Sequence, residues 1–271
     1  MKKVKTLASC NDLGGANQLI HSIKGDEVIY LLTGPASRVA EILGLSNLSS
    51  DHSLDLSDFS KLIVASNSQF QLSDKLLIDA KNLGLKTEGY LDHWVNYRTR
   101  WSTTPDKVIV TDLFAFVNAF FAFGFRVRFR HNYYLRYMRE QSRLGLYKVN
   151  LNQALFLIQP FLEGYKHEDN AKTCYCKFIE LFIDKYRIRQ VLIRDHTTTN
   201  STGCVVSLRR KRKNVVFSSS DWTQPLEADI FESEFVVGYD TYALYLAKKL
   251  GKNVYTIGNR RVWFSPRYRR I

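Results

Sequence analysis

The sequence predicts an α/β protein of two lobes, each a Rossmann-like parallel sheet covered by helices on both faces, with the second lobe reduced. Short apolar runs alternate with helical segments, which argues for parallel strands joined by helical crossovers. That alternation stops near residue 150 and then restarts. A chain of 271 residues, 45% hydrophobic, can fill one large domain or two of ordinary size.

In the first lobe, 1–150, the run VKTLAS (4–9) leads into CNDLGGANQLIHSI. EVIYLLTG (27–34) precedes PASRVAEILGL, where Pro35 suits a first helical turn because its missing N–H has no helical partner to lose. KLIVAS (61–66) precedes a helix over 72–83 that stops near Gly84. KTEGYLD (86–92) and KVIVTD (107–112) read as further strands, the latter running into a helix over 113–123, and RVRFR (126–130) is a short strand. The boundary falls at 145–152. In the second lobe, 151–271, QALFLIQP (153–160) ends at a proline and a helix covers 168–186. The strands QVLIRDH (190–196), NVVFSSS (214–220) and FVVGYD (235–240) follow, then a helix over 241–250 closed by Gly251, then NVYTIG (253–258). The stretch 197–213 shows no clear helix, and the tail RRVWFSPRYRR is basic and aromatic.

Composition narrows the class. No apolar run reaches the roughly 18 residues that span a bilayer, and LFAFVNAFFAFGF (113–125) is too short. The apolar part of MKKVKTLASC is shorter than a signal-peptide core, so it reads as a first buried strand in a cytoplasmic protein. The cysteines 10, 174, 176 and 204 form no Cys-x-x-Cys pair and have no histidine at zinc spacing, which predicts reduced thiols and no metal. The net charge of +13 calls for an anionic partner: nucleic acid, a membrane surface or a phosphorylated small molecule.

In parallel sheets ligands sit outside the carboxyl ends of strands, so residues just past those ends are the site candidates. NDLGGANQ places Asp12, Gly14, Gly15 and Asn17 at the first such turn, where glycines let backbone N–H groups approach an anion or sugar. It is neither Gly-x-Gly-x-x-Gly nor a P-loop, and its structural alternative is a tight packing turn. YLDHWVNYRTRW concentrates Asp92, His93, Trp94, Asn96, Tyr97 and Arg98 after another strand. Carboxylate and imidazole suit acid–base work and the aromatics offer faces to a sugar. The alternative is a capping Asp with the tryptophans in the core. Arg194 and His196 end one strand of the second lobe, Ser218, Ser219 and Ser220 end another, and Gly238 and Thr241 flank a helix start where Thr241 serves equally as an N-cap. The six arginines between 126 and 143, interleaved with tyrosines, suit an anionic membrane, RNA or simply a solvated face.

The order of these elements, from residue 4 to residue 258, resembles bacterial GT-B-type glycosyltransferase-like proteins of surface-polysaccharide synthesis, relatives of the sialyl-, Kdo- and polyol-phosphate-transferring enzymes that use cytidine nucleotides. The Gly-Gly-Ala-Asn turn, LDHWVNYR, the VTD strand, the Asn-Tyr-Tyr-Leu element and VVGYDTYAL carry the resemblance, LDHWVNYR most specifically. IRDHTTT falls where that family has an Arg-Pro-His-Pro-like motif whose His helps hold the donor phosphate. Arg194 and His196 match it, while Asp195 and Thr197 replace the prolines, and Asp195 brings negative charge toward the expected phosphate.

The resemblance implies a metal-independent glycosyltransferase acting on a surface glycan or its lipid-linked precursor, with a nucleotide-activated sugar as substrate and no further cofactor. Asp92 and His93 are then the acid–base or nucleophilic groups. Asp12, Gly14, Gly15, Asn17, Trp94, Asn96, Tyr97 and Arg98 line the acceptor side. Arg194, His196, the serine run, Gly238 and Thr241 hold the donor phosphate. Positive potential stabilises the leaving nucleotide, and the net basicity holds the enzyme to the inner face of the cytoplasmic membrane, with no nucleic-acid partner. Two alternatives stay open: a sugar-nucleotide hydrolase or epimerase of the same fold, and a degenerate relative that binds glycan or a partner enzyme, which the replaced prolines favour.

Overall fold

The computed structural model describes residues 5–23, 25, 27–49, 54–65, 71–91, 97, 100–158, 168–195, 201–220, 224–238, 241–257 and 268–270. The chain divides into two compact units, the first reaching Tyr137 and the second beginning at Met138.

The first unit runs β1 (Thr6–Cys10), α1 (Leu13–Ser22), β2 (Val28–Leu32), α2 (Pro35–Ile42), β3 (Lys61–Ala65), α3 (Gln71–Asn82), β4 (Lys86–Tyr90), β5 (Lys107–Val110), α4 (Leu113–Phe123) and β6 (Val127–Phe129), with α5 (Tyr133–Arg143) crossing the division. The strands pair in the order β2-β1-β3-β4-β5-β6, all parallel. Leu7, Ala8, Leu62, Val64, Val108 and Ile109 are buried whichever face they point to, which is why these strands read as continuous apolar runs. One core layer joins Ala16 and Leu19 of α1 and Val39 of α2 to Ala8, Tyr30 and Ile63.

The second unit runs β7 (Asn150–Ile158), α6 (Glu168–Tyr186), β8 (Gln190–Asp195), α7 (Thr202–Lys211), β9 (Val216–Ser220), α8 (Leu226–Glu232), β10 (Ser233–Gly238), α9 (Tyr242–Lys249), β11 (Asn253–Thr256) and the two-residue β12 (Arg269–Arg270). Its order is β12-β11-β10-β7-β8-β9, again all parallel. Phe156, Phe182, Ile193, Val237 and Tyr255 lie in its core.

Helix α7 fills the stretch in which no helix was expected. Gly203 near its start, Val205–Val206 and the run Arg209–Lys211 weaken the helical pattern in sequence. Cys204, Val205 and Leu208 nevertheless bury one face, and the basic last turn complements the negative end of the helix dipole. The expectation of reduced thiols is also corrected. Cys176 of α6 and Cys204 of α7 form a disulfide with Cα atoms 5.8 Å apart, joining helices whose cysteines are 28 residues apart, while the buried Cys10 thiol donates to Asp12 O at 3.3 Å. Spacing rules look for close pairs, and this pair is made by two helices meeting. Among the described residues no helix is long and apolar enough to cross a membrane.

Candidate functional site

The strand orders fix where each unit can receive a ligand. A crevice opens outside the carboxyl ends of a parallel sheet where successive crossovers leave in opposite directions. In the first unit this point lies at β1 and β3. In the second it lies between β7 and β10, because β7 leads to β8 and β9 on one side while β10 and β11 continue on the other.

At the first switch point, Asp12 is the N-cap of α1, its Oδ1 accepting from Gly15 N at 2.8 Å. Asn17 donates from Nδ2 to Leu13 O at 3.0 Å. Gly15 is needed for packing. A Cβ there would lie 2.6 Å from Ala65 Cβ and 2.8 Å from Cys10 Sγ, so only glycine lets α1 sit this close to β1 and β3. The first-turn amide of Gly15 is therefore already satisfied by Asp12, and the side chains of Asp12 and Asn17 hold the helix.

The segment after β4 lies mostly outside the described residues, which excludes Asp92, His93, Trp94, Asn96 and Arg98. Its two ends are described. Leu91 N donates to Ile109 O at 2.9 Å, so the ladder with β5 extends to the residue before Asp92. Tyr97 is buried, with its hydroxyl 3.5 Å from Ala115 O and its ring against Phe123. Trp101 packs directly on the strand, since a Cβ on Gly89 would come within 2.6 Å of its ring. Tyr97 and Trp101 are thus core aromatics packed against Phe123 of α4, and Leu91 stands at the carboxyl edge of the sheet.

In the second unit Gly238 ends β10 and Thr241 caps α9, its Oγ1 accepting from Leu244 N at 3.2 Å. Both lie at the switch point. A Cβ on Gly238 would sit 3.1 Å from Leu157 Cβ, so the glycine keeps β7 and β10 close where their ends meet. The serine run lies elsewhere. β9 is an edge strand, three strand positions or about 14 Å from β10 at normal sheet spacing. Side chains alternate along a strand, and only Ser220 of the three is buried while Ser218 and Ser219 are exposed. They do not form one cradle.

Arg194 is buried and fully engaged. Its Nη1 meets Asp229 Oδ2 at 2.5 Å and Ser220 Oγ at 3.3 Å, its Nη2 donates to Gln224 O at 2.7 Å, and Ser220 donates to Asp229 at 2.7 Å. This triad ties β8, β9 and α8 together behind the strand ends. Asp195 turns toward α7, accepting on Oδ2 from Ser201 N at 3.1 Å and Ser201 Oγ at 3.0 Å, while its buried Oδ1 has no hydrogen-bond partner among the described residues. His196 lies outside the described residues. Asp229 went unnoticed in the sequence, although an acid inside the apolar pattern of LEADIF is the signal for a buried partner. Glu88 was missed likewise. Almost fully buried on β4, it lies 3.0 Å from Lys61 Nζ and 3.2 Å from Arg130 Nη1, and Arg130 also donates to Tyr90 OH at 3.0 Å. Burial is the main cause that raises the Tyr90 phenol above its usual pKa, so it stays a neutral hydroxyl beside the loop that carries Asp92.

No family model matches the sequence, and no curated protein matches it. Solved structures do match the fold. The UDP-GlcNAc 2-epimerase from Neisseria meningitidis bound to UDP-GlcNAc superposes with a TM-score of 0.71 at 13% identity, over 95% of this chain and 83% of that one. Staphylococcus aureus MnaA with UDP gives 0.70 at 10% identity over 95% and 80%. The E. coli heptosyltransferase WaaC with ADP-2-deoxy-2-fluoro heptose gives 0.50 at 11% identity over 99% and 93%. At these identities the likeness is one of fold, and the fold is GT-B: two α/β units, each on a parallel six-stranded sheet.

Proposed function

We propose that the chain acts on a nucleotide-activated sugar in surface-glycan synthesis, with the nucleotide phosphate at the β7/β10 switch point of the second unit. The observation that carries this reading is the fold likeness over 95% of the chain to an enzyme bound to UDP-GlcNAc. Gly238 and the first turn of α9 supply close backbone approach and helix N–H groups there. Arg194 supports this edge through Asp229 instead of meeting the phosphate itself, and His196 remains the imidazole that the resemblance assigns to it. In the first unit Asp92 is the reactive carboxylate and His93 its orienting partner, reached from β4 and β5. Asp is ionised at neutral pH and serves as base or nucleophile without prior proton loss.

The first reaction on this reading is metal-independent transfer from a cytidine nucleotide to a glycan or lipid-linked acceptor at an anionic membrane surface. The second is epimerisation or hydrolysis of a UDP-sugar, favoured by the 2-epimerase neighbour that holds UDP-GlcNAc and by the MnaA structure that holds UDP. A thermal-shift panel separates the donors. A nucleotide at a hundred times its Kd adds about 2.7 kcal/mol to stability, so the cognate base stands out. A larger shift with CMP or CDP supports the first reaction; a larger shift with UDP, with turnover in the absence of acceptor, supports the second. If no nucleotide shifts the melting temperature, the sugar-nucleotide reading fails and a degenerate glycan-binding role replaces it. With a donor in hand, Asp92→Asn is expected to keep nucleotide binding and to lose turnover by at least about a hundredfold.

A further inference from the structure

Helix α4 is inverted relative to an ordinary surface helix. Its buried residues are the alanines Ala115 and Ala119, which face the sheet, while phenylalanines occupy the outside. Phe120 is 41% exposed and Phe121 82%; past the helix end Phe125 is 87% and Phe129 57% exposed. The rings form one continuous surface: Phe116 to Phe120 and to Phe129 at 6.3 Å, Phe120 to Phe121 at 6.5 Å, and Phe120 to Phe125 at 5.8 Å. Because α4 returns antiparallel to the strands, Phe120, Phe121 and Phe125 lie toward the amino-terminal edge of the first sheet, opposite the candidate site residues.

The rim of this patch is basic. From Leu113 to Tyr137 the chain has no Asp or Glu and carries Arg126, Arg128, Arg130 and Arg136. Arg126 and Arg128 are exposed and, among the described residues, neither pairs with a carboxylate. Arg128 donates to Phe125 O at 2.5 Å and Val127 O at 3.0 Å, which holds its guanidinium beside the exposed phenylalanine. A contiguous aromatic patch of this kind, ringed by one sign of charge, marks an interaction surface. A second copy of the chain is a poor occupant, because a two-fold contact would bring Arg126 and Arg128 against their own equivalents.

We propose that Phe120, Phe121, Phe125 and Phe129, with Arg126 and Arg128, form a docking face for an anionic lipid bilayer, the phenylalanines entering the acyl boundary and the arginines meeting lipid phosphates. Apolar burial and lipid electrostatics then act together, as in other interfacial anchors. The inference deepens the membrane clause of the proposed function and is independent of its chemistry.

The test is co-sedimentation of the full chain with phosphatidylcholine vesicles, with and without phosphatidylglycerol, and nucleotide binding is measured on the same samples. The wild type is expected to bind the anionic vesicles and to weaken with added salt. Phe121→Ser/Phe125→Ser should bind at least about tenfold more weakly, since two exposed aromatics lose their apolar burial. Arg126→Gln/Arg128→Gln should lose about thirtyfold on anionic vesicles only. These side chains lie outside the core, so circular dichroism and melting should be unchanged. Wild-type protein that ignores vesicles, or a phenylalanine variant that binds as well as wild type, overturns the proposal. So does a dimer in vesicle-free solution that the phenylalanine variant dissociates. Vesicle binding through this face in a chain that binds no nucleotide sinks the sugar-nucleotide reading alone.

Discussion

The two units have the same six-stranded build yet handle buried charge in opposite ways. In the second, Arg194 and Asp229 are 8% and 9% exposed and are closed off by Ser220 and the Gln224 carbonyl. In the first, Glu88 is 5% exposed, but Lys61 is 27% and Arg130 39% exposed, and both approach Oε2 too obliquely for that atom to accept an aligned hydrogen bond. The closed pair has no water to fall back on, whereas the open cluster keeps its cations partly hydrated. Intolerance to losing one partner therefore belongs to the closed pair of the second unit, and adjustability to the open cluster on β4 of the first.

Breaking the closed pair should have the largest effect. Arg194→Met leaves Asp229 buried without its cation, a change that costs about 3–5 kcal/mol. Urea unfolding is expected to show that loss, and Arg194→Met/Asp229→Leu should recover much of it because the uncompensated charge is gone. A loss below about 1 kcal/mol in the single variant would mean that water reaches Asp229 and that the contrast between the units is false.

Much of this architecture was legible in the sequence. Strands such as KLIVAS and QVLIRDH announce themselves because a parallel sheet buries both faces, and Pro35 and Gly251 mark a helix start and a helix end where their backbone chemistry requires. Helix α7 was not legible because its apolar positions sit among glycine and a basic run. The candidate positions were legible only as strand ends, and of them Gly238 and Thr241 fall at a switch point of the sheet. What sequence could not give was strand order. Without it Ser218–Ser220 looks as close to the ligand as Gly238, although it sits on the sheet's far edge. Nor does sequence reveal that Arg194 is already held by a carboxylate 35 residues away.

The open cluster supplies the intermediate effect. Glu88→Gln keeps the shape and removes the charge, and Lys61 and Arg130 can return to water. Arg130 Nη2 donates to Glu88 Oε1 at 3.2 Å, so the expected destabilisation is about 1.5–2 kcal/mol, the low end of the range for hydrogen bonds to charged groups and below that of Arg194→Met. Equal losses in the two variants would erase the distinction between closed and open.

The smallest effect concerns a cation of the second unit that belongs to neither arrangement. Lys252 donates from Nζ to Phe231 O at 2.7 Å and Ser233 O at 2.9 Å, and among the described residues it forms no ion pair. It borders a small pocket with Tyr147 and Leu250. Burial lowers its pKa from 10.5, so between the lowered folded value and 10.5 the unfolded chain binds more protons than the folded one. Stability contributed through Lys252 must therefore rise with pH across that window and be least below it, where the half-buried ammonium is charged in both states. Carbonyl dipoles offset part of the burial, which keeps this rise the smallest of the three effects. Subtracting the unfolding free energies of Lys252→Met from those of wild type, at pH values approaching and passing 10, removes the titration that the two proteins share. The difference should climb in favour of wild type as pH increases. A flat or falling difference would show that the two carbonyls fully replace the lost hydration.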